Sequence, residues 1–326
     1  MSRTVAMLAR AILQFLICVG LLVTLASADE PAIPRIGVLA ITGSTVDEDL
    51  RQELRDLGYV DGKNIIIVSR RVSGHEDEEL RRAVADLVGS NVGLIVLFTT
   101  PAARIALQTT KLPVVFAAGD PIGDGLAASL ARPGGRGTGV SMLNSELAGK
   151  RMQLLRQVAP GLRRVAFLMN PANPLDARML LETQSAARAL GVEVVVVSAR
   201  NASELDEAFT ALPRGAHDGL LISNDHIFIA NRARIAQAVR KAKIPAVFPF
   251  NGSRDDGALM SYGQNLRVGY RSVAVYVDKI LKGAQPSELP IEQITDIELV
   301  IDLRVARAMG IRIPQDLLLR ANEAIR

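Results

Sequence analysis

The sequence has 326 residues, 49% apolar and 22% charged, the balance of a globular chain rather than a disordered one. Its formal charge is +4 with no long Lys/Arg tract, which argues against nucleic acid as the partner. It has no Trp, which excludes a site built from stacked indoles, and its single cysteine, Cys18, lies in a segment expected to be removed.

That segment is residues 1–28. Arg3 and Arg10 make a positive start, Ala11 to Leu25 is an apolar run, and Ala26-Ser27-Ala28 is the small-x-small pattern of a signal-peptidase site. The run is short for a membrane span, so a cleaved secretory leader is expected, with a mature protein that begins at Asp29 and is not embedded in a membrane. Phe15-Leu16-Ile17 before Cys18 lacks the small residue of a lipoprotein site. Without a cysteine, the mature chain has no disulfide, thiolate nucleophile or Cys-ligated metal.

The mature sequence alternates short β-branched runs with amphipathic stretches. Strands are expected over Arg35 to Ala40, Asn64 to Arg71, Val92 to Phe98, Val114 to Ala118 and Gly137 to Ser141. Between them lie helical patterns at Asp47 to Leu57, Glu76 to Val88 and Pro101 to Thr109. The pattern then restarts. Helices at Glu146 to Val158, Leu175 to Leu190, Ser203 to Leu212 and Ile227 to Ala242 alternate with strands at Arg164 to Asn170, Val192 to Ser198, Gly219 to Ser223 and Ala246 to Phe248. A short strand at Ala258 to Tyr262, a helix at Val268 to Leu281 and a last strand at Ile294 to Val300 complete it.

Strands that are almost continuously Val, Ile and Leu are buried on both faces, as in parallel sheets covered by helices. Two successive series imply an α/β fold of two open lobes with mainly parallel sheets and a hinged cleft. The expected division is 29–143 plus 262–288 for the first lobe and 144–261 plus 289–326 for the second, with crossings near Ser141 to Ser145 and Tyr262 to Gln264. Such a hinge suits closure around a ligand.

Ligands of open α/β sheets bind beyond the carboxyl ends of the strands. The residues there include Ser44, Thr99, Thr100, Asp120, Ser141, Asn170, Asp225, Asn251 and Tyr262. They supply hydroxyls, amides and carboxylates but no nucleophile–base pair. Thr45-Val46-Asp47-Glu48 reads as a capping box, and Thr100-Pro101 and Asn173-Pro174 read as helix starts. Free N–H groups at the start of the helix at Pro101, with the hydroxyls of Thr99 and Thr100, suit a ligand carboxylate. Asp120 would then accept from a ligand amine, or else brace its own turn. His75 and His217 sit in polar turns and are expected to be solvated; His226 could reach a ligand. No pair has metal-ligand spacing, and no metal or cofactor is expected. Pro133 to Gly137 lacks the Gly-Lys-Ser/Thr ending of a phosphate loop, and no Gly-x-Ser-x-Gly occurs, so no enzyme is indicated.

Several phrases carry a family resemblance: RIGVL at Arg35 to Leu39, LRDLGYVDGKNI at Leu54 to Ile65, PVVFAAGDPIGDGLAASLARPGGRGTGVS at Pro113 to Ser141, SYGQN at Ser261 to Asn265, YVDKILKGAQPSELPIEQ at Tyr276 to Gln293 and IELVIDLRVARAMGIRIP at Ile297 to Pro314. Together they resemble the ABC-transporter substrate-binding family that includes tryptophan/tyrosine-type binding proteins. The resemblance implies a type I periplasmic-binding fold with three crossings and an ABC permease with its cytoplasmic ATPase as partners; the leader points to the periplasm, and a monomer is expected. It places ligand contacts by position at Thr99, Thr100, Asp120, Ser141, Asn170, Asp225 and Tyr262, with Asn251 in a further loop. The expected ligand is an amino acid or other small carboxylate. The alternative is a receptor domain that presents its ligand to a membrane signalling protein.

Overall fold

The Val/Ile/Leu runs form two sheets. The computed structural model describes residues 33–142, 147–210, 218–250 and 257–326. The expected leader 1–28, the candidate Asn251 and the turn at His217 lie outside the described residues.

The first series runs β1 (Arg35–Ile41), α1 (Val46–Asp56), β2 (Ile66–Val72), α2 (Asp77–Gly89), β3 (Leu94–Leu97), α3 (Thr100–Thr109), β4 (Val114–Ala118) and β5 (Gly137–Ser141). The second runs α4 (Ala148–Val158), β6 (Arg164–Met169), α5 (Pro174–Ala189), β7 (Glu193–Ser198), α6 (Ala202–Thr210), β8 (Gly219–Ile222), α7 (His226–Ala230), α8 (Arg232–Ala242), β9 (Ala246–Phe250) and β10 (Met260–Gln264). The tail adds α9 (Leu266–Leu281), β11 (Glu292–Gln293), β12 (Ile297–Asp302), α10 (Leu303–Met309), α11 (Gln315–Leu319) and β13 (Glu323–Ile325).

The first sheet has the order β11-β5-β4-β3-β1-β2, with every pair parallel. The second has the order β13-β12-β10-β9-β8-β6-β7; only the β12–β10 pair is antiparallel, so β12 and β13 run opposite to the other five strands. β3, β4, β8 and β9 are buried along their whole length, which is why their sequences show no polar alternation. β7 is an edge strand, and its run of valines is only half covered.

Helices cover both faces. Leu50 and Leu54 of α1 and Val273 and Val277 of α9 close one side of the first sheet, each fully buried at a gain of about 2 kcal/mol per side chain. Leu80 and Leu87 of α2 with Ala103 and Ala106 of α3 close the other. In the second sheet Leu155, Met179 and Val305 line one side, and Phe228, Ile235 and Val239 the other. The cluster that holds Leu80 and Ala103 also holds Ile227 and Phe228, so apolar contact is continuous between the two sheets. Gly139, at φ +140°, permits the close pairing of β5 with β4: a Cβ there would stand 2.0 Å from the Phe116 carbonyl oxygen.

Four sequence expectations shift. The helix expected over Ile227 to Ala242 is two, because Asn231 leaves helical geometry and its amide donates to the Ile227 carbonyl at 2.8 Å. Thr45 makes no side-chain cap; Ser44 Oγ accepts the Val46 N–H instead, at 3.2 Å. The cap of α3 is Thr99 rather than Thr100, its Oγ1 accepting from Ala102 N–H. Residues 262–264 stay in β10 of the second sheet, and Glu292–Gln293 pairs with Val140 and Ser141 in the first. The crossings therefore fall just after Gln264 and between Gln293 and Ile297, later than the sequence boundaries at 262 and 289. The cause is hydrogen-bond register, which the apolar pattern does not encode.

Candidate functional site

In each sheet the strand order reverses at the strand next to one edge: β1 lies between β2 and β3, and β6 between β7 and β8. Such switch points open a crevice at the carboxyl ends. On the first sheet the crevice carries Phe98, Thr99 and Thr100 after β3. On the second it carries Asn170 after β6 and Ser223, Asn224 and Asp225 after β8.

The two edges touch. His75, in the turn after β2, places Nε2 2.9 Å from Oδ2 of Asp225. Arg178 of α5 donates to Asp124 across the same gap at 2.9 Å. Leu175 packs against Gly119 so closely that a Cβ on the glycine would lie 2.4 Å from Leu175 Cδ2. The lobes are closed on each other.

What remains between them is an inner cavity of about 40 Å³, lined by His75, Phe98, Thr99, Thr100, Asn173, Leu175, Asn224, His226 and Tyr270 among others. It has room for about one water. It shares Ile229, Leu266 and Tyr270 with an outer concavity of about 750 Å³ that also reaches Asp49, Glu53, Arg232, Phe248 and Ser261. The outer space is ligand-sized, while the strand ends and the start of α3 converge on the inner one.

The polar chemistry gathers on Asp225, which is fully buried. Its Oδ2 accepts from His75 Nε2, from Asn173 Nδ2 at 2.9 Å and from Asn170 Nδ2 at 3.3 Å. Its Oδ1 caps α7 by accepting from Ile227 N–H at 2.8 Å. Burial works against the charge, but the His75 charge and these bonds outweigh it and hold the carboxyl down at about 2. His75 is pushed in the complementary direction. Burial lowers it, while Asp225 and then Glu76 raise it further, with a net rise above the usual imidazole value.

Asp176 lies behind this pair. Its Oδ2 accepts from Asn170 N–H at 2.7 Å and from the Ser223 hydroxyl. Burial, with the nearby Asp225 charge, pushes it well above the carboxylate range, against the two bonds it accepts. Two carboxylates in one buried site thus take opposite protonation states. His226 is pushed down to about 4, first by burial and also by the His75 charge, and stays neutral near Phe98.

Of the residues expected at the site, Thr99 and Thr100 line the inner cavity, and Thr100 Oγ1 accepts from Gly119 N–H at 3.4 Å. Asn170 and Asp225 stand directly behind it. Asp120 does not line it; its Oδ1 accepts from Gly123 N–H at 2.9 Å and braces the turn. Ser141 is buried at the end of β5, where its hydroxyl donates to the Gly119 carbonyl at 3.4 Å. Ser44 turns toward the start of α1. Tyr262 packs its ring against the second-lobe core and does not line the inner cavity; its carbonyl accepts from Arg151 Nε at 2.8 Å.

His75, expected in solvent, is buried in the cleft: only 4% of it is exposed. Asn173, read as a cap, both caps α5 and donates to Asp225. Asn224 and Tyr270 carried no sequence signal beyond a position at a strand end or in a helical repeat.

The profile of the family described as ABC transporter substrate binding protein matches residues 44–325. The chain is 26% identical over 263 residues to a tyrosine-binding protein of Clostridioides difficile strain R20291, covering 79% of this chain and 74% of that one. It superposes on an ABC domain in complex with L-Trp from Streptococcus pneumonia with a TM-score of 0.78, at 24% identity, over 90% of this chain and all of the other. A conserved domain protein from Vibrio cholerae O1 biovar El Tor strain N16961 gives a TM-score of 0.80 at 25% identity, over 90% of this chain and 99% of that one. The fold is the two-lobed α/β fold of type I periplasmic binding proteins.

Proposed function

The chain belongs to the ABC transporter substrate-binding protein family, and on that footing we propose that it captures a small carboxylate, the class that includes amino acids, for an ABC importer. One observation carries the reading: a cavity enclosed between two strand-end edges, with the start of α3 opening into it. Four features of the reading go together. The lobes are 34–141 plus the α9 and β11 segments, and the remainder; they part to admit ligand and close on it. The closed form docks on a permease served by a cytoplasmic ATPase. No bond is made or broken in the ligand. The leader 1–28 exports the protein to the periplasm, where it acts as a monomer.

Support comes from the relatives, one of which is a tyrosine-binding protein and another a complex with L-Trp. It comes also from the cross-cleft contacts of His75, Arg178 and Leu175, which only a closed form can make. Among the described residues no helix is long and apolar enough to cross a membrane, and no group of acidic, His or Cys side chains could hold a metal.

The test is a thermal-shift screen of the purified protein against amino acids, organic acids, purines and sugars. A true ligand at a hundred times its Kd stabilises by about 2.7 kcal/mol. A hit is expected among the carboxylates, with a smaller radius of gyration in X-ray scattering when it is bound. Hits confined to uncharged sugars or purines refute the carboxylate, and a saturating ligand that leaves the radius unchanged refutes closure.

A further inference from the structure

The polar lining of the inner cavity is His75, Thr99, Thr100, Asn173, Asn224 and His226; among the described residues no Asp or Glu faces it. The carboxylate behind it, Asp225, already accepts four donors, from His75, Asn170, Asn173 and the Ile227 backbone. Asp176 is further back and accepts from Ser223 and Asn170. A ligand ammonium entering this cavity would find no free anion. It would instead stand beside His75, whose net rise above the usual imidazole range favours a positive ring below neutral pH.

His75 has a second ring nitrogen. Nε2 faces Asp225, while Nδ1 is buried without a hydrogen-bond partner, on a residue that is 4% exposed and lines the cavity. On an imidazolium both nitrogens are donors, so Nδ1–H is a charge-bearing donor that lacks an acceptor. Thr99 and Thr100, at the start of the ten-residue helix α3, line the same cavity. Pro101 supplies no N–H there, and the helix start adds partial positive charge. Two features, a buried ring nitrogen without a partner and the positive end of helix α3, thus meet at one place and suit an anion. Asn224 Oδ1 is also buried without a partner. An amide oxygen there accepts from a neutral ligand hydroxyl or amide and supplies no countercharge to an amine.

We infer that the cleft selects a small organic acid without a free α-amine, its carboxylate seated between His75 Nδ1 and the start of α3, and that His75 occupies the place an amino acid's ammonium would take beside Asp225. The inference rests on the capture reading above and narrows its ligand class. Phe98, Tyr270, Leu175 and Ile229 offer apolar surface for the body of the acid. With about 40 Å³ in the closed form, that body reaches toward the outer concavity through Leu266 and Tyr270, or the lobes close less completely on it.

The experiment compares matched pairs by isothermal titration calorimetry at pH 6: L-tyrosine with 3-(4-hydroxyphenyl)propanoate, L-tryptophan with indole-3-propanoate, and L-leucine with 4-methylpentanoate. In the wild type, the acid of a pair is expected to bind at least about tenfold more tightly than its amino acid, the scale of one charge-assisted bond. Asn224→Asp puts a carboxylate where the amide stands and should move that ratio toward the amino acid by about tenfold. Asn224 is only partly buried, so this variant should fold even where a His75 variant does not. His75→Gln, which can still donate to Asp225 but carries no charge, should weaken the acids more than the amino acids. Equal or tighter binding of the amino acids to the wild type would overturn the inference and leave capture of a carboxylate standing. No binding of any member of any pair would count against the carboxylate reading itself, and this inference would fall with it.

Discussion

Replacing Asp225 by Asn isolates the cross-cleft pair. The amide keeps the shape of the carboxylate and can still accept from Ile227 N–H through Oδ1. The other oxygen, which receives His75, Asn170 and Asn173, becomes a fourth donor among three. The depression of Asp225 to about 2 corresponds to a stabilisation of its charged form on the order of 2 kcal/mol. Breaking a buried pair from one side costs about 3–5 kcal/mol, so a loss of that size is expected. Its pH dependence is specific. The depressed Asp225 contributes fully above its unfolded value near 4, and the contribution is lost as pH falls through about 2. The raised His75 contributes fully below its unfolded value near 6.5, and the contribution is lost as pH rises through its folded value. The gap between wild type and D225N should therefore be widest at about pH 4 to 6.5 and shrink in alkali, where neutral His75 can accept from the introduced amide. Urea unfolding followed by circular dichroism at pH 5.5 and 8.5 measures it. A gap that is the same at both pH values, or wider at 8.5, refutes a charged His75 in the folded protein.

Two further predictions concern the same cleft. Gly119→Ala drives a methyl into Leu175 and should disfavour closure by about 1 kcal/mol or more, weakening 3-(4-hydroxyphenyl)propanoate several-fold, with recovery in the double variant that also carries Leu175→Ala; no recovery would place the strain elsewhere. Asp176→Asn replaces a carboxyl that burial keeps protonated. The folded wild type must hold a proton that the unfolded chain releases above about pH 4, so its stability falls as pH rises. The variant should match it within about 1 kcal/mol at pH 4 and exceed it at pH 8 in urea unfolding, and a variant that is less stable at pH 8 would contradict the assignment.

The two βα series are legible in the sequence, because strands buried on both faces must be continuously apolar and covering helices must carry a stripe. The sequence also pointed to Thr99, Thr100, Asn170 and Asp225 as strand-end residues, and each stands within three residues of the end of its strand. It could not place Tyr262. That residue also follows the rule, but the register of β10 against β12 sets it opposite Leu299 on the second-lobe core, and a side-chain period of two turns its neighbours, not its ring, toward the concavity. Nor could it place Asp120, whose own turn satisfies its carboxylate. The largest difference is His75. In sequence it is a polar residue beside Glu76, with every mark of a solvated turn. Its partner lies 150 residues away on the other sheet. Only where the two strand-end edges meet is the imidazole removed from water and set against Asp225. Local pattern reports burial within one layer of structure; contact between layers belongs to the tertiary fold alone, because it depends on how the two strand-end edges are set against each other.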